Sequence, residues 1–233
     1  HDLDLLYWNM NQPVRRLQSF GSLRYYRPEN APEGATLRCT DGCPVDCKYD
    51  ARKLYLNMDY SGFIVQALNS DMSLEGRTRA LEEGWYGRCV YHCDNDVVDN
   101  QTVNMEFMDG TTVMMVMHGH SHEEGRTMRY DGTRATLRGK FTYGGERMEI
   151  HDHKTGRIEE VEIEAGGSGH GGGDSRIVAS FLQALEGDTS GTTSARESLE
   201  SHLMAFAAEE SRLDGTVIDM AAYRAAAEEL TVG

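Results

Sequence analysis

The sequence predicts an α+β fold, built from an open-faced, mostly antiparallel β-sheet with flanking helices. Two observations favour this class. Strand-like segments cluster in the middle of the chain, and helical segments follow them rather than alternate with them. No glycine-rich turn joins a strand to a helix in a β–α–β unit. With 233 residues the chain is long enough to bury a core, and we expect a single domain over 1–233.

The N-terminal third is expected to combine short elements with irregular chain. Apolar residues at helical spacing predict a first helix, which Pro13 ends. A cysteine-rich loop is predicted over 27–48, because that stretch holds three of the four prolines and three of the five cysteines. The predicted elements are a helix over 2–8, a strand over 14–23, and short helices over 50–56 and 73–83.

The middle of the chain predicts an antiparallel meander of four to six strands. Residues 102–107 alternate, and Asp109-Gly110 is a strong tight-turn signal between that strand and the next. The strand over 111–118 is apolar on both faces, so we expect both faces to be covered. One cover would be a homodimer or homotetramer interface, and the alternative cover is an N-terminal part absent from this chain. Further strands are predicted over 127–130, 135–137, 148–151 and 158–163.

The C-terminal part predicts a glycine-rich loop over 165–174 and then helices over 175–230. Asp174 is expected to cap the first helix, which runs over 175–185. The apolar side chains expected to lie on one face of that helix are Ile177, Phe181 and Leu185.

A second helix is predicted over 194–212, with a capping box formed by Thr193 or Ser194 and Glu197. The alanine-rich segment 220–230 predicts a last helix. The side chains expected to face inward on the second helix are Leu199, Leu203, Phe206 and Ala207.

The charge of the chain limits the partners that it can have. Against 38 acidic residues stand 23 Lys and Arg, a formal net charge of -15, which disfavours nucleic acid and anionic membrane surfaces. No apolar run approaches the roughly 20 residues of a membrane-spanning helix. We expect a cytoplasmic protein.

Because the chain starts at His1, inside a helical pattern, we also expect that an N-terminal part has been removed.

The first helix carries a candidate proton-transfer pair. His1 and Asp4 lie three residues apart, so they share a helix face. A histidine beside a carboxylate can exchange protons near neutral pH. The alternative is a solvated helix with a charged face.

The cysteines form two groups that could bind zinc. Cys39, Cys43 and Cys47 are spaced by three residues, as are Cys89 and Cys93. Both spacings suit a tetrahedral zinc site, to which His92 could contribute in place of one thiolate. Disulfides and free buried thiols remain open as alternatives.

Two histidine patterns offer further ligands. The side chains of His118, His120 and His122 would point the same way on an extended strand, either as a metal-binding face or as a polar strand end. His170 lies in the glycine-rich loop, where it could contact a polyol hydroxyl or simply belong to a flexible linker.

Several segments, in their order, resemble one family. The start His1-Asp2-Leu3-Asp4 is similar to the His-x-x-Asp helix of the Gfo/Idh/MocA oxidoreductases. The segments that resemble a cysteine-rich subgroup are Ser19-Phe20-Gly21-Ser22-Leu23, Ala31-Pro32-Glu33-Gly34-Ala35, Cys43-Pro44 with Cys47-Lys48-Tyr49, the segment 93–99, the segment 169–174, and the segment 206–212. The resemblance extends from residue 1 to about residue 220.

The resemblance implies the C-terminal half of a two-domain enzyme, with the fold of the dihydrodipicolinate-reductase-like C-terminal domain. The absent Rossmann half would bind NAD or NADP, so the fragment alone is expected to be inactive. The enzyme would oxidise a sugar, polyol or inositol-like alcohol, with His1 as catalytic base and with Asp4 and His170 contacting substrate. The alternative is a noncatalytic binding or scaffold domain stapled by metal on the five cysteines.

Overall fold

The computed structural model describes residues 1–60, 62–142, 145–163, 172–189 and 193–230. The chain divides into two compact units, one of His1–Pro13 with His120–Phe206 and the other of Val14–Gly119 with Ala207–Gly233. We call these the first and second units. The expectation of a single domain over 1–233 stays a prediction.

The second unit is built on a four-stranded sheet. Its strands are β1 (Val14–Ser22), β2 (Asn100–Phe107), β3 (Thr112–His118) and β8 (Ile218–Asp219). The order is β3-β2-β1-β8, and each neighbouring pair is antiparallel. One face of this sheet is buried, and its fully enclosed side chains include Leu17, Val103 and Phe107. Because side chains alternate along each strand, the other face is left to polar and exposed residues.

Helices complete the second unit. They are α2 (Ala51–Tyr55), α3 (Phe63–Gln66), α4 (Leu74–Glu83) and α7 (Met220–Leu230). A small core beside the sheet is formed by Ala51, Tyr55, Val65 and Leu81. Caps explain where two helices begin: the Asp50 carboxylate accepts from the Arg52 N–H at 3.0 Å, and Ser73 Oγ accepts from the Gly76 N–H at 3.0 Å.

The first unit is a helix-flanked antiparallel meander. Its strands, in spatial as well as chain order, are β4 (Gly125–Asp131), β5 (Ala135–Thr142), β6 (Gly145–Asp152) and β7 (Ile158–Glu160). Its helices are α1 (Asp2–Met10), α5 (Gly173–Leu185) and the first part of α6 (Ala195–Asp214). The boundary between the units falls within α6, after Phe206.

The structure confirms the α+β class and most of the predicted elements, but it divides the predicted meander. The strand pair joined at Asp109-Gly110 belongs to the sheet of the second unit, and the four strands after it form a sheet of their own. The first pair instead joins β1, some 80 residues earlier in the chain. The strand predicted over 158–163 is also shorter, ending at Glu160.

Within this chain only one face of β3 is covered, and the predicted cover of the other face by a second copy stays a prediction. Val113, Met115 and Met117 are half-buried, whereas Met114 and Val116 are 67% and 47% exposed. The sheet packs one apolar set against the core and leaves the other set open.

Helix α5 leaves its apolar face open. Its side chains Ile177, Phe181 and Leu185 are all exposed. The N-cap of α5 is Gly172, so Asp174 lies in the first turn and is not the cap.

The capping box of α6 is confirmed, since the Ser194 N–H donates to Glu197 and the Glu197 N–H donates back to Ser194 Oγ. Leu203 and Ala207 are buried as predicted, but Leu199 and Phe206 are exposed. The helix instead buries Met204 and Ala208, because its inward stripe is shifted by one residue from the predicted one.

Candidate functional site

The first turn of α1 is anchored to strand β4. Arg126 Nε donates to the Asp2 carboxylate at 2.5 Å, and Asn9 Nδ2 donates to Tyr130 Oη at 2.6 Å. Seven helical residues span about 10 Å and four strand residues about 13 Å, so these two contacts require α1 to run alongside β4. The anchored helix therefore presents its first turn at a fixed place in the first unit.

His1 and Asp4 occupy that first turn. His1 is the N-cap residue, and its side chain is exposed and makes no capping hydrogen bond. Its carbonyl accepts from the Leu5 N–H at 2.9 Å, which closes the turn that holds Asp4, and Asp4 is half-buried. An exposed imidazole beside acidic side chains can in general exchange a proton with a group bound next to it. Their roles in catalysis and substrate binding stay predictions.

Four of the five cysteines line one small cavity in the second unit. We call this the cysteine cavity; it has a volume of ≈ 20 Å³, room for about one water molecule, and it is lined by Cys39, Cys43, Cys47 and Cys89. Two reciprocal backbone hydrogen bonds, from Cys39 N–H to Gly87 and from Cys89 N–H to Leu37, hold the two cysteine segments side by side. Cys93 does not line the cavity, and its thiol lies 3.4 Å from the Val90 carbonyl.

The zinc site assigned to the five cysteines stays a prediction. Within the described ranges, no group of three or more His, Cys, Asp or Glu side chains is arranged to hold a metal ion. The five cysteines, Cys93 included, are free thiols. The alternative of a metal-stapled scaffold domain therefore gains no support from the described residues.

The histidine patterns also fail to form a metal-binding face among the described residues. Strand β3 ends at His118, and His120 and His122 follow in bends, so the alternation that would align the three side chains does not continue. His170 and most of the predicted loop over 165–174 lie outside the described residues, and the substrate contact assigned to His170 stays a prediction.

A cluster of four tyrosines, which the sequence analysis missed, adjoins the cysteine cavity. Tyr49 and Tyr91 line the cavity, and their rings pack against Tyr25 and Tyr26 with centroid distances of 5.5 to 6.5 Å. Lys48 Nζ lies 5.2 Å from the Tyr25 ring centroid and 4.8 Å from that of Tyr49. The sequence contains one indication of this cluster, because Tyr49 and Tyr91 each lie two residues after a cysteine that lines the cavity.

The cluster sets the acidity of its phenols in opposite directions. A hydrogen bond from Tyr91 Oη, 3.2 Å away, and the nearby Lys48 ammonium lower the pKa of Tyr25. Burial raises the pKa of Tyr26, Tyr49 and Tyr91. Tyr25 is therefore the phenol in this cluster that gives up its proton most readily.

A buried carboxylate fixes the backbone that carries Tyr25 and Tyr26. Asp99 is 3% exposed, and its oxygens accept from the N–H groups of Arg24, Tyr25 and Tyr26, the shortest being 2.6 Å from Tyr25. Burial acts to raise the pKa of Asp99, but these donors and Asn100 outweigh it and bring the pKa to about 2.

Replacing Asp99 with Asn is expected to lower the free energy of unfolding by about 2 to 3 kcal/mol at pH 7, since a pKa unit corresponds to about 1.4 kcal/mol. A depressed carboxyl pKa stabilises the fold above the unfolded pKa of about 4, and that contribution is lost as pH falls towards 2. Urea unfolding at several pH values checks this. From about pH 4 to about pH 2 the wild-type protein should lose stability, and the variant should lose less over the same range.

Asp96→Asn is the matched control, because Asp96 is exposed and only three residues away. Its effect should stay within about 0.5 kcal/mol at every pH. Equal losses in the two variants would contradict the role given to Asp99.

Comparison with known proteins identifies the fold of this chain but not its activity. No protein-family model and no curated protein matches the chain. Within the described ranges, moreover, no helix combines the length and apolar character needed to cross a membrane.

Solved structures of oxidoreductases share the fold. A protein from Desulfitobacterium hafniense, described as an NADPH-dependent oxidoreductase, matches with a TM-score of 0.52 and 13% identity over 95% of this chain and 46% of its own. An oxidoreductase from Thermotoga maritima matches with a TM-score of 0.50 and 12% identity, over 94% and 44%. The aldose–aldose oxidoreductase from Caulobacter crescentus, solved with glycerol, matches with a TM-score of 0.52 and 10% identity, over 93% and 44%.

The chain thus spans less than half the length of each of these enzymes. At such low identity the likeness establishes the fold. The α+β architecture described above is shared with part of each of these three solved structures.

Proposed function

We propose that this chain is the substrate-binding and oligomerisation part of an NAD(P)-dependent oxidoreductase that acts on a sugar, polyol or inositol-like alcohol. The main support for this proposal is the fold that almost the whole chain shares with part of three oxidoreductases, one of them named an aldose–aldose oxidoreductase. The resemblance of its first turn to the His-x-x-Asp helix of the Gfo/Idh/MocA family supports it.

The dinucleotide is assigned to polypeptide outside these 233 residues. The described residues contain two antiparallel sheets and no β–α–β unit, so they offer no helix N-terminus after a parallel strand for a pyrophosphate. The nicotinamide would supply the hydride acceptor. The residues of this chain would bind the substrate and accept the proton of its hydroxyl.

His1 is assigned the proton. Oxidation of an alcohol to a carbonyl requires a base at the hydroxyl, and a neutral imidazole near pH 7 suits that task. Asp4 is assigned to orient His1 or to accept a hydrogen bond from a neighbouring substrate hydroxyl. The anchoring of Asp2 on Arg126 limits the freedom of this turn, and a fixed base is more effective than a mobile one.

The test is an assay of the polypeptide encoded by the whole gene. It should reduce NAD or NADP with at least one member of a panel of aldoses, inositols and linear polyols, and an excess of the matching carbonyl should reverse the reaction. Failure to bind either dinucleotide, together with no turnover on the panel, would overturn the proposal.

The open sheet face of the second unit is assigned to self-association. Phe20 of β1 and Val116 of β3 flank Thr102 in one row across the sheet, and Met114 is next to Val116 on the same face. These three apolar side chains are exposed in the isolated chain. An apolar patch on an open antiparallel sheet is typical of an interface between copies.

Replacing Met114 with Lys is expected to weaken self-association at least about tenfold, because a charge would be buried at the contact. Light scattering over a concentration series measures the change. Met108→Lys is the control, since Met108 is also exposed but lies in the turn after β2. A wild-type protein that stays monomeric, or equal effects of both substitutions, would contradict this interface.

A further inference from the structure

We propose that a pocket at one end of the open sheet face of the second unit binds a small polyhydroxylated anion, such as a sugar acid or a sugar phosphate, through the guanidinium of Arg24. We call this the Arg24 pocket. It has a volume of ≈ 280 Å³. All of its lining residues belong to the second unit, whereas His1 and Asp4, which are assigned to the oxidoreductase reaction, belong to the first. The two sites are therefore separate.

Two adjacent rows of the sheet form one wall of the pocket. Ser22 of β1, Asn100 of β2 and His118 of β3 lie opposite one another, and Phe20 and Thr102 belong to the next row. Because side chains alternate along a strand, both rows lie on the open face. The wall thus combines hydroxyl, amide and imidazole groups with one aromatic ring. A few polar groups beside an apolar ring are the combination that orients a small polar ligand in a pocket.

Arg24 supplies the positive charge of the pocket. Its side chain has no hydrogen-bond or ion-pair partner among the described residues, whereas Arg27, three residues later, pairs with Glu29 at 2.8 Å. A guanidinium that no carboxylate of the chain occupies can form two parallel hydrogen bonds to a carboxylate or a phosphate. The pocket therefore favours a ligand that carries an oxyanion.

The groups around this charge are held in place by the buried carboxylate of Asp99. The Arg24 N–H donates to both Asp99 oxygens, at 3.0 and 3.1 Å. Asn100 Nδ2 donates to Asp99 Oδ1 at 2.8 Å and to the Ser22 carbonyl at 3.0 Å. These donors also compensate the charge of Asp99, which would otherwise oppose an anion. A pocket that is ordered in this way loses less conformational entropy when a ligand binds.

The size of the pocket limits the ligand. Pockets for drug-sized molecules begin at roughly 300 Å³, so a volume of ≈ 280 Å³ suits a compact ligand and is too small for a dinucleotide. One guanidinium calls for one oxyanion, and the hydroxyl and amide groups call for hydroxyls on the rest of the molecule. Sugar acids and sugar phosphates share this chemistry.

The experiment is titration calorimetry on the polypeptide encoded by the whole gene, without dinucleotide. The probes are gluconate, glucose 6-phosphate, neutral glucose and inorganic phosphate. We expect gluconate or glucose 6-phosphate to bind at least about tenfold more tightly than glucose and inorganic phosphate, and the tighter of the two identifies the oxyanion. Inorganic phosphate that binds as tightly as both anionic sugars would indicate a bare ion contact and would overturn the proposal, as would no binding of either sugar.

Three variants test the role of the guanidinium. Arg24→Gln should weaken the binding of the anionic sugar at least about tenfold. Arg24→Lys should recover only part of the affinity, because the charge remains but the paired donors are lost. Arg27→Gln is the matched control and should bind as the wild type does, since Arg27 does not line the pocket. Unchanged affinity in Arg24→Gln, or equal losses in the Arg24 and Arg27 variants, would contradict the proposal.

Hydrogen exchange locates the bound sugar without any turnover, so its result does not depend on the proposed oxidoreductase reaction. The anionic sugar should slow exchange in the segments 20–26 and 98–102, and this protection should disappear in Arg24→Gln. Protection confined to the first unit would place the ligand near His1 and Asp4 and would overturn the assignment to the Arg24 pocket.

Discussion

Replacing Arg77 with Met is expected to lower the free energy of unfolding by about 3 to 5 kcal/mol. Arg77 lies on α4 and is only 2% exposed. Its guanidinium donates to four backbone carbonyls, at 3.0 to 3.2 Å, on Tyr55, Asn57, Tyr60 and Met72. Met keeps the length of the side chain but donates nothing, so these carbonyls lose a charged donor inside the protein.

The loss should be felt along the whole segment between α2 and α4. The carbonyls bonded to Arg77 lie on both sides of α3, so this one side chain ties the segment to α4. Urea unfolding measures the free energy, and hydrogen exchange over 55–72 should show faster opening before global unfolding.

Arg79→Met is the matched control, because Arg79 is two residues further along α4 and its side chain is 55% exposed, 3.7 Å from Asp71. That pair is a surface ion pair, and its loss should cost less than about 1 kcal/mol. Similar losses in the two variants would show that Arg77 does not act as the hub of this segment.

Most of the helices, strands and turns were predicted from local sequence patterns. The capping box at Ser194 and Glu197, and the turn at Asp109-Gly110, depend on residues a few positions apart, and both formed where the sequence indicated. Such interactions need only the local chain to adopt one conformation, so a single sequence contains the information.

Long-range pairing explains what the sequence did not predict. The strands after Asp109-Gly110 could have extended one meander, but β2 pairs with β1 and leaves β4 to begin a second sheet. Asp99 binds backbone N–H groups about 75 residues away, and nothing in the local pattern around Asp99 distinguishes it from the exposed Asp96. Partner choice over such distances depends on the assembled core rather than on periodicity.

The cysteine cavity combines a local feature, which the sequence predicts, with a long-range pairing, which it does not. The spacing of Cys39, Cys43 and Cys47 identified them as one group, which is a local matter. Only the pairing of Arg38 with Arg88 decides that Cys89, and not Cys93, joins that group. Spacing alone could not separate zinc from free thiols, because the two differ in how closely the sulfurs approach.

Replacing His1 with Asn is expected to lower turnover by about two to four powers of ten in the polypeptide encoded by the whole gene, which is the usual contribution of a general acid–base. Asn keeps a polar side chain of similar size but cannot take up the proton of the substrate hydroxyl. The acidic limb of the rate profile, which protonation of the histidine base produces, should disappear. Dinucleotide affinity should stay the same, because the dinucleotide is assigned to polypeptide outside this chain.

Steady-state kinetics across pH, with His202→Asn as the control, separates this role from that of a surface histidine. His202 is also exposed and helical, and its Nδ1 lies 2.7 Å from the Ser198 carbonyl oxygen. Its replacement should change the rate by less than about threefold, because an exposed helix position contributes little. If His1→Asn keeps both the rate and the acidic limb, another group takes the proton, and the anchored first turn of α1 then serves only to orient the substrate.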